Sequence, residues 1–209
     1  TILTLGDLKH HLSNILAGLY SLGGSPDSAL IEYCVRPDPV FKEISLIGVP
    51  DIRIIVFLGV PIMAMLRLPT ALSHGKANLH QGAVGVGIDL GSGRTTSAVW
   101  KSRKIEKHPD NQAPLKGILL PQWETLLIMA SRCYEINGLG YQGVDLVIDQ
   151  DKGPLLLETN VRPGLSIQLA NQAGLLPRLK AVEKNRSLLR DAQTRIAFAK
   201  GRFSEGAAG

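Results

Sequence analysis

The sequence predicts an α+β protein: an antiparallel sheet with flanking helices. Three observations carry this. Most apolar runs are short and bounded by Gly, Pro, Asn or Asp, as strands are. The connections between them are hairpin-like, too short for the crossover helices that a parallel sheet requires. Segments of helical periodicity are few, and they separate the strands into groups.

Taken in order, residues 7–22 place Leu8, Leu12, Ile15, Leu16 and Leu19 at three- and four-residue spacing. That is an amphipathic helix, with Asp7 as N-cap and Gly23-Gly24 as its stop. Residues 29–35 (ALIEYCV) read as a strand, and residues 44–47 (ISLI), closed by Gly48, as another. Residues 51–58 and 61–68 read as a hairpin around Gly59-Val60. Residues 84–100 (VGVGIDLGSGRTTSAVW) read as strand, tight turn and strand, followed by a polar loop over residues 101–119. Residues 123–136 form a second helix, stopped by Asn137-Gly138. Residues 144–148 and 154–160 are two strands joined by Asp-Gln-Asp-Lys-Gly. From Leu175 onward the pattern is helical, and the Gly-Ala-rich end reads as a frayed tail.

Composition narrows the partners. With 44% apolar and 20% charged residues the chain is ordinary globular material. Lysine and arginine outnumber aspartate and glutamate 23 to 18, a net charge of +5. Aromatics are only 5% and the basic residues are scattered, so neither the basic stripe nor the stacking platform of a nucleic-acid binder is present. Lys101, Arg103, Lys104 and Lys107 read as a solvated loop. Surplus positive charge suits a pocket for anionic small molecules, such as nucleotide phosphates and carboxylates. Cys34 and Cys133 sit in apolar stretches and read as buried thiols of a reducing compartment, which points to the cytoplasm. The apolar run 54–66 is broken at Gly59 and Pro61 and falls short of the ~20 residues that span a bilayer, so no membrane partner is expected. Composition leaves room for an oligomer.

The chemistry concentrates in GVDLVIDQDKGPLLLETNVRPGLS, residues 143–166. Strand residues two apart share a face, so Glu158 and Asn160 project together. If the hairpin pairs Asp149 with Pro154, Asp145 stands opposite Glu158 on that face. Two carboxylates crowded among leucines repel each other and lose hydration, so something must compensate. A hard cation does so, and Mg2+ takes one or two carboxylates plus substrate phosphates. A single acidic residue at a hairpin end is usually just solvated. The combination of Asp, Glu-x-Asn and Arg-Pro-Gly shifts the balance to a site.

On Asp145, Glu158-Thr159-Asn160 and Pro163-Gly164-Leu165, the sequence resembles the metal-binding end of an ATP-grasp ligase. The phrases PDIRIIVFLGVPIMAMLRLPT, GKANLHQGAVGVGIDL and GLGYQGVDLVIDQDKGPLLLETNVRPGLSIQLAN are similar to RimK-type alpha-L-glutamate ligases and the alpha-L-glutamate ligase-like group, from about residue 6 to residue 179. The resemblance implies an ATP-grasp fold that holds ATP between two lobes. It implies a reaction joining a carboxylate to an amine through an acyl phosphate, with ADP and phosphate as products. Glutamate is the amino acid it implies, with a peptide or small-molecule amine as acceptor.

Carried over residue by residue, the resemblance makes Asp145, Glu158 and Asn160 the Mg2+ ligands, with Mn2+ as a substitute. Glu32 and Tyr33 match the inter-lobe hinge strand that meets adenine and ribose. Asp51 matches a nucleotide-pocket acid, with Arg53 on the same side of its strand. Lys76 and Asn78 match the segment lying along the nucleotide. Arg67 would meet the acceptor carboxylate or the acyl phosphate. Arg162 would lie near the phosphates, where RimK proper has a small residue. Phosphoryl transfer needs charge neutralised on the moving oxygens, and arginine suits carboxylates and phosphates because its fork binds two oxygens at once. Surface arginines on strands are the bland alternative for Arg53 and Arg67, and a solvated loop for Lys76 and Asn78.

The resemblance also implies a division into residues 1–180, the rear portion of an ATP-grasp domain, and residues 181–209, a C-terminal helix and flexible tail. The front lobe, with its phosphate lysine and Gly-rich loop, has no counterpart, so the chain reads as the rear part of a longer enzyme. Two other readings stand beside the ligase. One is a non-catalytic ATP-grasp relic or nucleotide-binding interaction module. The other, an actin-like switch, rests on the phosphate-loop look of VGVGIDLGSGRTT, which any Gly-rich hairpin would share.

Overall fold

The computed structural model describes residues 4–205, which fall into two compact units divided between Cys34 and Val35. The first unit carries helix α1 (Leu5–Leu16). Its N-cap is Thr4 rather than Asp7. The Thr4 hydroxyl accepts from the Asp7 N–H at 3.2 Å and the Asp7 carboxylate accepts from the Thr4 N–H at 2.8 Å, a reciprocal capping box. Asp7 is thus the third helical residue, and its acidity favours the positive end of the helix dipole. No residue of α1 is buried.

Residues 29–35, expected as a strand, form none. Leu30 and Ile31 are more than 80% exposed, so the segment has the composition of a strand without the sheet neighbour that would satisfy its backbone. Cys34, expected to be buried, is exposed for the same reason, whereas Cys133 is buried.

The second unit is a seven-stranded sheet, antiparallel throughout, in the order β5-β4-β3-β2-β1-β6-β7. The strands are β1 (Asp51–Phe57), β2 (Val60–Leu68), β3 (Val84–Ile88), β4 (Thr95–Trp100), β5 (Arg103–Ile105), β6 (Tyr141–Asp149) and β7 (Gly153–Asn160). Helices α2 (Trp123–Asn137), α3 (Ile167–Asn171), α4 (Leu175–Asn185) and α5 (Ala192–Phe203) complete it. Helix α2 packs on β1, α5 on β2 and α2, and α3 on β2, β3 and β4. The helical C-terminal pattern is realised as α4 and α5, separated by a turn. The tail expected at the Gly-Ala end falls on residues 206–209, outside the described residues. The expected strand at 44–47 is absent, although Ile44 is buried in the core. No described helix is long and apolar enough to cross a membrane.

Alternation sorts the central strands into two unlike faces. One face carries Ile52 and Ile54, Leu66, Val86, and Val144 and Leu146, all at 0% exposure. The opposite face carries Asp51, Arg53, Arg67 and Asp145, together with Gly85, Gly87 and Gly143. Directly opposed residues point to the same side of a sheet, so the registers Asp51↔Arg67↔Gly85 and Met65↔Arg53↔Asp145↔Glu158 define that polar face.

Candidate functional site

The β6–β7 hairpin closes one residue earlier than expected, with Asp149 opposite Gly153 and Ile148 opposite Pro154. A bulge between Asp145 and Leu146 absorbs the extra residue, so Asp145 still faces Glu158. The turn is tied by the buried Asp149 carboxylate, which accepts from the backbone N–H of Arg36, Asp151 and Lys152.

Asp145 is 2% exposed, and its charge is answered by guanidinium groups. Arg53 grips it with both prongs, Nε to Oδ1 at 2.7 Å and Nη2 to Oδ2 at 2.5 Å. Arg67 Nη2 reaches the same Oδ2 at 2.7 Å and makes a second two-pronged contact with Asp51. Two aspartates and two arginines, each no more than 9% exposed, form a continuous net-neutral network across β2, β1 and β6. Such a network avoids isolated buried charge but gains little over an apolar core of the same size.

The protonation preferences follow. Burial pushes the Asp51 carboxyl up to about 6, and the Arg67 fork recovers only part of the loss. Burial also acts against Asp145, but Arg53 and Arg67 together outweigh it and hold that carboxyl below its ordinary range. For Arg67 burial opposes the charge, and Asp51 and Asp145 overcome it, raising its pKa.

Glycines let other segments settle onto this face. A Cβ on Gly85 would meet Leu79 Cδ2 at 2.8 Å, so the turn Leu79–Gln81, capped by the Asn78 side chain, rests beside Arg67. A Cβ on Gly143 would meet Pro163 at 2.7 Å, which puts the Pro163-Gly164 bend beside Arg53. Alternating glycine in VGVGI is the sequence signal of such close approach. Between turn and bend lies a cleft of about 30 Å3 lined by Arg53, Arg67, Asn78, His80, Gly164 and Ser166 among others.

Of the expected site residues, Asp51, Arg53, Arg67 and Asp145 come together in the network, and Asn78 borders it. Glu158 and Asn160 share the polar face on edge strand β7; Glu158 is exposed. Asn160 Oδ1 accepts from the Arg162 N–H at 2.9 Å and so shapes the bend that follows. Arg162 and Lys76 are exposed and outside the cleft lining. Glu32 and Tyr33 are exposed residues of the first unit, on the stretch that forms no strand. His80, Gly143 and Ser166 were not among the expected site residues, and Pro163 entered only as part of the Pro163-Gly164-Leu165 motif.

The donor chemistry fits a hard cation in part. Glu158 and Asn160 offer oxygen ligands from two side chains on one face, and a carbonyl oxygen that accepts one hydrogen bond keeps a second lone pair. Asp145 has both oxygens held by arginine. Among the described residues no group of three or more His, Cys, Asp or Glu side chains is arranged to hold a metal. The phosphate-loop look of residues 84–100 has a plainer cause. Asp89 accepts from the Ser92 hydroxyl at 2.6 Å and from the Ser92 N–H at 2.7 Å, which makes it the hinge of a β3–β4 turn.

The site thus sits on an antiparallel sheet with helices packed against it, α3 lying on the Gly87 side, and with one charged, glycine-opened face. The sequence model of the sugar-transfer associated ATP-grasp family matches residues 1–184, and the chain belongs to that family. No curated protein matches it. The match agrees with the ATP-grasp resemblance read from the motifs, while its association is with sugar transfer and not with RimK-type enzymes.

Proposed function

We propose that the polar face is the working surface of an ATP-dependent carboxylate–amine ligase, in which ATP converts a carboxylate to an acyl phosphate that an amine then attacks. The observation that carries this is the burial of Asp51, Arg53, Arg67 and Asp145 on one face in register with Glu158. An idle sheet would fill those positions with apolar residues at no loss of stability.

In this reading Arg53 and Arg67 exchange part of their hold on the aspartates for phosphate and carboxylate oxygens. Their forks orient both, and Asp51 and Asp145 keep the guanidinium groups aimed until ligand arrives. Glu158 and Asn160 would hold Mg2+, which when bound supplies charge neutralisation for the phosphates. The Pro163-Gly164 bend and the Leu79 turn exclude water from the arginines. Glu32 and Tyr33 are proposed for adenine and ribose, Lys76 and Arg162 for the phosphates, and glutamate for the added amino acid, all from the RimK-type resemblance alone. The family's association with sugar transfer makes a sugar-linked amine or carboxylate an equal candidate for the acceptor.

One observation favours the inert alternative, a relic or a nucleotide-binding module. The network is already self-satisfied, and its cleft holds little more than a water molecule. Amino-acid-dependent ATP consumption by the intact protein, assayed with Mg·ATP over a panel of carboxylates and amines, separates the two. ADP release that Arg67→Met abolishes supports the ligase. No release with any pair, despite Mg·ATP binding, leaves the module.

A further inference from the structure

The cleft over Arg53 and Arg67 does not end there. A second hollow, of about 140 Å3, shares Leu79, His80 and Ser166 with it and extends along the same face to Lys101 and Ser102. The joint lining carries Arg53, Arg67, His80 and Lys101 and no carboxylate among its residues. Hydroxyls of Ser102 and Ser166 and the apolar walls Val99 and Leu169 complete the outer part.

Two features indicate that Lys101 is placed rather than stray. It sits with Ser102 at the two-residue turn joining β4 to β5, where both have positive φ, 49° and 61°. Turns of that kind favour Asn-Gly, as the β1–β2 turn partly honours with Leu58-Gly59. At the β4–β5 turn a lysine and a serine hold the strained positions, and both face the hollow. The lysine is also steadied. Its Nζ lies 4.6 Å from the Trp100 ring centroid, and the Trp100 indole N–H donates to the Gly82 carbonyl at 2.8 Å.

We infer that the hollow bounded by His80, Lys101, Ser102 and Ser166 is a second anion subsite, so that the carboxylate substrate carries two anionic groups. One is the reacting carboxylate over Arg53 and Arg67; the other is a carboxylate or phosphate read by Lys101. This rests on the ligase reading of the polar face. Arg67 aligns with Gly85 and Gly85 with Val99, two strand spacings or about 10 Å away, and Lys101 lies two residues beyond Val99. The two anions are therefore separated by a distance of order 10 Å. A single amino acid is too short to bridge them, and an extended dianion is not.

Calorimetric titration of the intact protein with α,ω-dicarboxylates from succinate to dodecanedioate tests this. Monocarboxylates of equal length serve as references, and ω-phosphonocarboxylates form a second arm. The expected result is an affinity maximum at intermediate length, about tenfold above the matched monocarboxylate. The arm with the higher maximum identifies the second anion. Lys101→Gly, which removes the cation while relieving the turn, should erase the maximum, and Lys101→Arg should retain it. A flat length profile, or a maximum that survives Lys101→Gly, overturns the subsite. Mg·ATP binding measured on the same samples separates the two ideas. Normal nucleotide binding with a flat profile removes the subsite and leaves the ligase; a Lys101-dependent maximum without nucleotide binding removes the ligase and leaves a two-anion groove.

Discussion

Strands β1, β2 and β6 present two faces built from alternate residues of the same segments, equally buried and opposite in chemistry. Ile52, Ile54, Leu66, Val144 and Leu146 hold one side by removal of apolar surface from water, a force that tolerates exchange among similar side chains. Asp51, Arg53, Arg67 and Asp145 hold the other by four charges that must be kept or replaced in pairs of opposite sign. The apolar face stabilises the fold. The polar face contributes little net stability and is the face proposed for ligands.

The sharpest way to break that comparison is Asp145→Ala. Arg53 loses its carboxylate and Arg67 one of two, so unfolding free energy should fall by about 3–5 kcal/mol in urea titration. Leu66→Ala on the apolar face should cost about 2–5 kcal/mol by cavity formation, without altering any pH dependence.

Acid response is the next discriminator. The Asp51 carboxyl binds its proton more tightly folded than unfolded. Its contribution is fully present below about pH 3.8 and is lost as pH rises through about 6, a change of at most about 3 kcal/mol. His108, buried and held neutral, acts in the opposite sense, giving stability above the unfolded value that is lost as pH falls through its lowered pKa. Comparison of wild type with Asp51→Asn across pH 4 to 7 isolates the aspartate. A difference in melting temperature independent of pH would remove the assignment.

The smallest effect on folding should come from replacing a whole ion pair. Asp51→Leu combined with Arg67→Met should leave stability within about 1–2 kcal/mol of wild type or above it, while abolishing ligand binding. A large loss of stability would make the network structural and sink the contrast.

Much of this was legible from alternation and turn chemistry. The hairpin expected around Gly59-Val60, which turns one residue earlier at Leu58-Gly59, the strand–turn–strand of residues 84–100 and helix α2 follow from local pattern, and the polar face follows from spacing by two. Strand β5 was hidden in a charged stretch, because edge strands need little apolar content. Helix α3 spans five residues, too few for a periodicity to show. Residues 29–35 misled because apolar composition does not supply a partner strand. The crowding of Asp145 was foreseen and its neutraliser was not. The arginines that answer it lie 92 and 78 residues away, and only the sheet register brings them across.

The most direct test of the central claim is Mg·ATP binding to the intact protein and to Glu158→Ala, with melting temperature measured on both. Glu158 is exposed on an edge strand and no charge of the buried network depends on it, so the variant should melt as wild type does. A ligase face predicts Mg2+-dependent nucleotide binding that weakens at least tenfold in the variant, about 1.4 kcal/mol. Binding unchanged by Glu158→Ala, or equally strong without Mg2+, would contradict the assignment of that face to nucleotide and metal.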